Sequence, residues 1–180
     1  MARAVAEINL TAIKKNIEYI KQKSNAQILA VVKADAYGHG LIPVAKAAVD
    51  SGATWFGTAL LEEAIELRNN GIDANVIAWL TPLGEDFKSA LSLKIEIGVS
   101  SIELLDEIVS ASEEVGVIPR LHLEIDTGMS RGGVADQWEM LIAKVANLIK
   151  ENKIEIVGAW SHFARADEPA EVMNKEQLDL

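Results

Sequence analysis

The sequence contains no cysteine among its 180 residues and only three histidines. Thiol catalysis, disulfide bonds and thiolate metal sites are therefore excluded. The histidines lie far apart in the sequence, so the close ligand spacing that is typical of a zinc site is also missing. We expect no metal ion in this protein.

Positive charge and long apolar runs are scarce as well. The chain has 17 lysine and arginine residues against 27 aspartate and glutamate residues, a net charge of −10. Because the acidic residues are scattered, such a surface repels nucleic-acid phosphates. No uncharged stretch approaches the roughly 20 apolar residues that cross a bilayer, and the charged N-terminus lacks the apolar segment of a secretion signal. The sequence predicts a cytoplasmic protein that binds neither nucleic acid nor membranes.

Apolar runs alternate with amphipathic stretches along the chain, which predicts repeated strand–helix units. We place six strands, near 27–33, 54–58, 75–80, 94–99, 120–126 and 154–162. Helices are expected between them, near 41–51, 60–70, 85–92, 101–115 and 135–151. A helix near 11–24 follows a short strand near 4–10, and another helix is expected after Pro169. Strands separated by helices pair in parallel, which predicts an α/β barrel or a doubly wound sheet.

The fifth predicted strand favours the barrel. Its alternation separates an apolar face from a polar face, Leu121, Leu123 and Ile125 against His122, Glu124 and Asp126. In a parallel sheet both faces are covered. A barrel covers both, because the apolar face packs against outer helices and the polar face enters the interior. The alternative is an edge strand with one face in water.

A complete (β/α) barrel has eight units and about 250 residues. This sequence supplies six units and stops within a helical pattern. We therefore expect residues 1–180 to form one domain, an incomplete TIM-type barrel that is a fragment of a longer protein. The alternative is a smaller sheet that stays open.

Lys33 directly follows the apolar run 28–32, at the end of the first predicted strand. Burial disfavours the charged form of a lysine and makes its amine a nucleophile that can form a Schiff base. The alternative is a strand-ending lysine whose amine reaches solvent. Gly38 and Gly40 do not form a nucleotide-binding fingerprint, because Pro43 stands where a third glycine is required. His39, between these glycines, is expected in a turn or at a helix start.

Other polar residues follow the predicted strands at the same ends. Glu124 and Asp126 end the fifth strand, Arg131 lies in a glycine-flanked loop after it, and His162 ends the sixth. Barrel active sites form where the carboxyl ends of the strands meet, so we expect these residues to converge with Lys33. The arginine is suited to a substrate carboxylate and the histidine to a cofactor ring. The alternatives are a surface arginine and a core histidine.

The sequence resembles alanine racemases in three segments: VVKADAYGHG at 31–40, LHLEIDTGMSRGG at 121–133 and WSHFARADE at 160–168. The resemblance extends from about Ala6 to the end of the chain, and the first motif is highly specific. It implies a pyridoxal 5'-phosphate (PLP) enzyme of fold type III, with an N-terminal barrel and a C-terminal β-domain that this chain lacks. It also implies that the enzyme works as a homodimer, interconverts L-alanine and D-alanine, and supplies D-alanine for bacterial peptidoglycan.

The resemblance also implies roles for individual residues. Lys33 would form the internal aldimine with PLP and later serve as the base on one face of the substrate. Tyr37 would hold the cofactor phosphate, and Arg131 would hydrogen-bond the phenolic oxygen of the cofactor and assist substrate binding. His162 would lie against the ring, and Trp79 would line the cofactor pocket.

The sequence departs from the family in two respects. The second base of the family is a tyrosine from the C-terminal domain of the partner subunit, and neither Tyr19 nor Tyr37 suits that role, so this chain alone is expected to be inactive. Many members have a carbamylated lysine where Glu124 stands. A glutamate would supply the same negative charge to orient Arg131 with a shorter reach, and Asp126 is expected to support it.

Two other functional interpretations stay open from the sequence. The first is a single-domain PLP-binding homeostasis protein without racemase activity. The second is an unrelated barrel or open-sheet domain without a cofactor.

Overall fold

The computed structural model describes residues 4–180, which fall into two compact units divided after Ala78. All strand pairs within each unit are parallel. Across the described part of the chain there are six strands and eight helices, and each strand is followed by at least one helix. The α/β class and the six strand–helix units that the sequence predicts are therefore confirmed.

Unit 1 contains three strands and four helical segments. In chain order these are α1 (Leu10–Lys23), β1 (Leu29–Val31), α2 (Lys33–Gly38), α3 (Leu41–Asp50), β2 (Trp55–Thr58), α4 (Leu61–Asn69) and β3 (Asn75–Ala78). β2 lies between β1 and β3, with Trp55 opposite both Leu29 and Asn75. Because the strands are parallel, the loops that follow β1 and β2 emerge at the same edge of the sheet.

The core of unit 1 depends on small side chains on α3. Ala45 and Ala48 are completely buried, as are Phe56 on β2 and Leu67 on α4. Alanine lets a helix approach a sheet closely, and the large side chains then fill the remaining space at the density of a protein interior. Burial of a phenylalanine or leucine side chain contributes about 1.5–3 kcal/mol to folding.

The strand predicted near 4–10 is wrong. Residues 4–9 form no strand, and α1 begins at Leu10 because the Asn9 side chain accepts a hydrogen bond from the Ala12 N–H at 3.0 Å. An alternating pattern forms a strand only where a partner edge and a covered face exist. Residues 4–7 are exposed instead, and Val5 retains 83% of its accessible surface.

Unit 2 contains the other three strands and four helices. These are α5 (Phe87–Ser92), β4 (Glu96–Val99), α6 (Ile102–Val115), β5 (Arg120–Ile125), α7 (Trp138–Lys150), β6 (Glu155–Ser161) and α8 (Val172–Leu178). Its core is largely aliphatic and includes Ile97, Leu105, Ile108, Leu121 and Leu141. No helix among residues 4–180 is long and apolar enough to cross a membrane.

The helix ends follow the expected local chemistry. Ser101 caps α6 by accepting a hydrogen bond from the Leu104 N–H at 3.1 Å. Gly71 follows α4 with a positive φ of 79° and ends it.

The polar face of β5 is covered, as the barrel interpretation requires. β5 pairs with β4 on one side and β6 on the other, so the edge-strand alternative is wrong. Glu124 is only 3% exposed. His122 is half-buried and lies opposite Gly158 on β6, where an added Cβ would approach the imidazole Nδ1 to 2.5 Å. The glycine therefore makes room for the histidine ring.

A buried carboxylate joins β4 to this face. Glu96 receives a hydrogen bond from Arg120 Nε at 3.0 Å and lies 2.5 Å from His122 Nε2. Arg120 also donates to the exposed Glu155 at 3.0 and 3.1 Å. Burial by itself would raise the pKa of Glu96, but the hydrogen bonds from His122 and Arg120 together outweigh it and lower that pKa. The charged form of Glu96 is therefore stabilised by folding.

Glu96→Gln should lower the free energy of unfolding of this chain by about 2 kcal/mol at pH 7, because it weakens two charge-assisted hydrogen bonds in a buried site. Since folding lowers the Glu96 pKa, this contribution is present above the ordinary value of 4.5 and is lost as the pH falls below it. Urea unfolding between pH 3 and 8 measures it. Glu155→Gln is the control and should cost less than about 1 kcal/mol. Equal effects of both variants would contradict the assignment.

Candidate active site

The segment that follows β1 is a left-handed turn. Ala34, Asp35, Ala36 and Tyr37 have φ between 53° and 56° and ψ between 40° and 53°, so α2 is one turn of left-handed helix. The Ala36 N–H donates to the Val32 carbonyl at 2.8 Å and closes the turn. Lys33 stands two residues after β1, whereas the sequence predicts a strand up to Lys33 itself. The strand ends earlier because this turn redirects the backbone.

A left-handed turn of this kind is unfavourable in conformational free energy. The left-handed conformation costs about 1–2 kcal/mol for each residue that carries a Cβ, and four consecutive residues adopt it here. Strain of this kind persists only where surrounding contacts enforce it, and it concentrates at functional sites.

Hydrogen bonds enforce the turn from several sides. The Asp35 side chain accepts from the Leu41 N–H at 2.6 Å and thereby caps α3. His39 Nδ1 lies 3.0 Å from the Ala36 carbonyl and 3.1 Å from the Tyr37 carbonyl. The prediction that His39 is a turn residue at the start of a helix is confirmed.

The turn presents two functional groups side by side. Lys33 is half-buried and Tyr37 is 60% exposed, and the lysine Nζ lies 6.0 Å from the centre of the tyrosine ring. No carboxylate forms an ion pair with Lys33 among the residues that the structure describes. The Lys33 side chain is thus half-buried beside the Tyr37 ring, and its role as a reactive amine stays a prediction.

In unit 2, the loop after β5 is shaped by Asp126. Its Oδ1 accepts hydrogen bonds from the N–H groups of Gly128 at 2.9 Å and Ser130 at 3.0 Å. These bonds favour the carboxylate and lower the Asp126 pKa. Gly133 closes the loop with a φ of 95°, at a point where a Cβ would lie 2.7 Å from the Asp126 nitrogen. The glycine spacing in this segment therefore has a steric cause.

Glu124 lies under this loop as a buried carboxyl group. An added Cβ on Gly132 would lie 3.1 Å from Glu124 Oε1, so the loop backbone passes directly over the carboxyl. Oε2 is buried and has no hydrogen-bond partner within the described chain. Burial raises the pKa of Glu124 to about 7, against the opposing effect of the exposed Arg131 and with a further increase from Asp126. The sequence predicts a charged glutamate here, whereas the structure places it near half-protonation at neutral pH.

The end of β6 is tied to the same loop through α8. The buried Gln177 donates to Thr127 Oγ1 at 3.2 Å and to the His162 carbonyl at 3.1 Å, and it accepts from the Ala164 N–H at 2.9 Å. Thr127 Oγ1 also lies 2.7 Å from Ser161 Oγ. His162 itself is exposed, so the core-histidine alternative is wrong.

Two tryptophans lie near one another in unit 2. Trp79 follows β3 in the sequence, and its ring centre is 6.2 Å from that of Trp160 on β6, with the planes inclined by 55°. This is a common geometry for an aromatic pair. Trp160 Nε1 is buried and without a partner among residues 4–180.

The predicted site residues thus fall into two groups. Lys33 and Tyr37 lie together in unit 1, whereas Trp79, Glu124, Asp126, Arg131 and His162 belong to unit 2. Their convergence on one rim stays a prediction. Sequence reasoning missed Glu63, Gln177 and Glu96, whose side chains hold backbone or buried groups. Glu63 had a signal of its own, because an acidic residue near the start of a helix commonly accepts backbone N–H groups. Gln177 had none.

These features define a parallel α/β protein with an amine-bearing turn at a strand end. The model of the family described as "Alanine racemase, N-terminal domain" matches residues 8–180. An alanine racemase from Salinispora arenicola is 41% identical over 179 residues, which are 99% of this chain and 48% of the relative. An alanine racemase from Thermobifida fusca is 40% identical over 98% of this chain and 48% of its own.

Solved structures agree with the sequence relatives. The crystal structure of alanine racemase from the D-cycloserine producing Streptomyces lavendulae superposes with a TM-score of 0.93 at 38% identity, over 96% of this chain and 46% of that one. The chain belongs to the alanine racemase family, as the sequence predicts, and the predicted barrel class is confirmed. The family is PLP-dependent. The chain spans about half the length of the relatives that it matches.

Ala34→Gly should raise the free energy of unfolding by about 1 kcal/mol, because glycine adopts a positive φ without the steric cost of a Cβ. Ala143→Gly is the matched control. Ala143 is exposed on the right-handed helix α7, where the same change should destabilise the chain by about 1 kcal/mol. Urea unfolding of both variants measures the two effects. Destabilisation by both would show that the turn is not left-handed in solution.

Glu124→Gln should change how stability depends on pH. Because folding raises the Glu124 pKa from 4.5 to about 7, the wild-type side chain stabilises the fold below pH 4.5 and loses that contribution as the pH rises to 7. The stability of the wild type relative to the variant should therefore fall by on the order of 3 kcal/mol across this range. Urea unfolding from pH 4 to 8 tests this. The exposed Glu176→Gln controls for loss of one carboxylate, and parallel curves for wild type and Glu124→Gln would refute it.

Proposed function

We propose that residues 1–180 form the PLP-binding part of the N-terminal barrel domain of an alanine racemase, which interconverts L-alanine and D-alanine. The observation that carries this proposal is the Lys33 amine, which a left-handed turn holds half-buried, without an ion-pair partner in the described chain, beside Tyr37. An amine without a carboxylate partner is free to react with an aldehyde. That is the property the cofactor requires of its lysine.

Both units carry polar groups of the kinds that PLP binds. Lys33 would bind it covalently and Tyr37 would donate its hydroxyl to the phosphate. Arg131 would donate to the phenolic oxygen, and His162 and Trp79 would flank the ring. The buried and unpartnered Trp160 Nε1 supports an occupant of this kind in unit 2, because such atoms normally find a hydrogen-bond acceptor.

When bound, PLP withdraws electrons from the α-carbon of an amino acid and acidifies its proton. The chain's own residues would then perform the remaining tasks. The guanidinium of Arg131 binds the substrate carboxylate in a forked geometry. The Lys33 amine takes the α-proton from one face and returns a proton to the same face in the reverse direction.

Racemisation needs a second base on the opposite face. Tyr19 is unsuited, since it lies on α1, and Tyr37 is assigned to the phosphate. We infer that the partner subunit of a homodimer supplies this base. We further propose that the enzyme acts in the cytoplasm, and that its D-alanine is used for peptidoglycan. No relative or structure reported above supports the alternative of a PLP homeostasis protein.

Incubation with PLP followed by borohydride reduction and mass spectrometry should show a pyridoxyl adduct on Lys33. Lys33→Arg should abolish it, because a guanidinium does not form the linkage. Lys46→Arg, at an exposed position on α3, should leave it unchanged. Modification spread over exposed lysines and insensitive to Lys33→Arg would refute the cofactor assignment. Racemisation of alanine by the full-length enzyme, lost in Lys33→Arg, tests the activity.

A further inference from the structure

We propose that Glu63 is a positioning residue that sets the reactive geometry of the Lys33 amine, an inference that rests on the proposed function. Glu63 lies in the first turn of α4 and is half-buried. Its Oε1 accepts from the Ala34 N–H at 2.5 Å. Its Oε2 accepts from the N–H groups of Ala59 at 3.0 Å and Leu60 at 3.2 Å.

The carboxylate thereby joins two neighbouring strand ends. Ala34 follows Lys33 after β1, and Ala59 and Leu60 follow β2, which pairs with β1 in parallel. Ala34 is also the first residue of the left-handed turn. A bond to its N–H fixes the peptide between Lys33 and Ala34 at the point where the backbone changes hand. The direction in which the lysine side chain leaves the sheet depends on that peptide.

A purely local role for Glu63 does not account for these contacts. An acidic residue in the first turn of a helix is stabilised by the N–H groups at the helix start, and the bonds from Ala59 and Leu60 satisfy that role. The bond from Ala34 comes from 29 residues away in the sequence and is the shortest of the three. A carboxylate meets both demands because each of its oxygens is an acceptor.

Glutamine cannot replace it. An amide has one acceptor oxygen and one donor nitrogen, so in Glu63→Gln an N–H group of the side chain must face a backbone N–H on one of its two sides. Glu62 is the matched control. It precedes Glu63 on α4, carries the same charge, is exposed, and accepts no hydrogen bond within the described residues.

The experiment compares wild type, Glu63→Gln and Glu62→Gln by two measurements. The first is hydrogen–deuterium exchange of the segment 33–40, which requires no cofactor. The second is the rate of pyridoxyl adduct formation at Lys33 under PLP and borohydride. Loss of a charge-assisted bond should accelerate exchange and slow adduct formation by about tenfold each in Glu63→Gln. Glu62→Gln should stay within about twofold of wild type on both measurements.

A rescue separates positioning from general stability. Adding Ala34→Gly to Glu63→Gln should restore most of the adduct rate, because glycine adopts the left-handed conformation without enforcement. A lower melting temperature with an unchanged adduct rate, or equal effects of Glu63→Gln and Glu62→Gln, would overturn the proposal. If Glu63→Gln does not fold, exchange of the wild-type Ala34 amide decides. Protection of at least about tenfold supports the bond to Glu63, and rapid exchange refutes it.

The two proposals fail in different ways. If wild type forms no adduct on Lys33, the cofactor assignment fails, while exchange of the segment 33–40 still tests the contact made by Glu63. If wild type forms the adduct and Glu63→Gln forms it equally fast, the cofactor assignment stands and the role of Glu63 is refuted.

Discussion

The left-handed turn after β1 is the constraint on which the candidate site depends. It brings a lysine and a tyrosine close together through a backbone conformation that is unfavourable for every L-residue. The unit around it supplies the compensation through Asp35, Glu63 and His39, each of which hydrogen-bonds a backbone group of the turn or its flanks. Some of the stabilising contacts of unit 1 thus offset the conformational cost of holding one amine in place.

Unit 2 uses the same device at the end of β5. Asp126 accepts backbone N–H groups and shapes the loop that carries Arg131. In both units a carboxylate near a strand end organises a loop through backbone N–H groups. This gives several acidic residues a structural task, since a carboxylate is the side chain with two strong acceptors in a short reach. The net negative charge of the chain is therefore partly a consequence of how its loops are built.

The strands and helices were accessible from the sequence because periodic burial dictates them, and the strands 75–80 and 120–126 begin where predicted. The left-handed turn was not accessible. The residues Lys33 to Tyr37 include two alanines, which favour a right-handed helix. None of these five residues is a glycine, which is the residue that commonly indicates a positive φ. Contacts that form only in the folded chain, among them the bond to Glu63 from 29 residues away, stabilise the left-handed conformation. The protonation of Glu124 was likewise hidden, because it depends on the loop that covers it rather than on its place in β5.

Glu96 and Glu124 are buried carboxyl groups at opposite ends of the strands, and they differ in hydrogen bonding and in charge state. Glu96 is the first residue of β4, and its two oxygens are both occupied by donors, which keeps it charged. Glu124 lies near the carboxyl end of β5 with one oxygen unpartnered, so that burial prevails and its pKa rises to about 7. In barrels the amino ends of strands serve stability and the carboxyl ends serve chemistry. Glu96, whose two oxygens are paired, and Glu124, which is half-protonated near Arg131, follow that division. A fully paired carboxylate cannot change its protonation when a ligand changes the charge beside it, whereas a half-protonated one can.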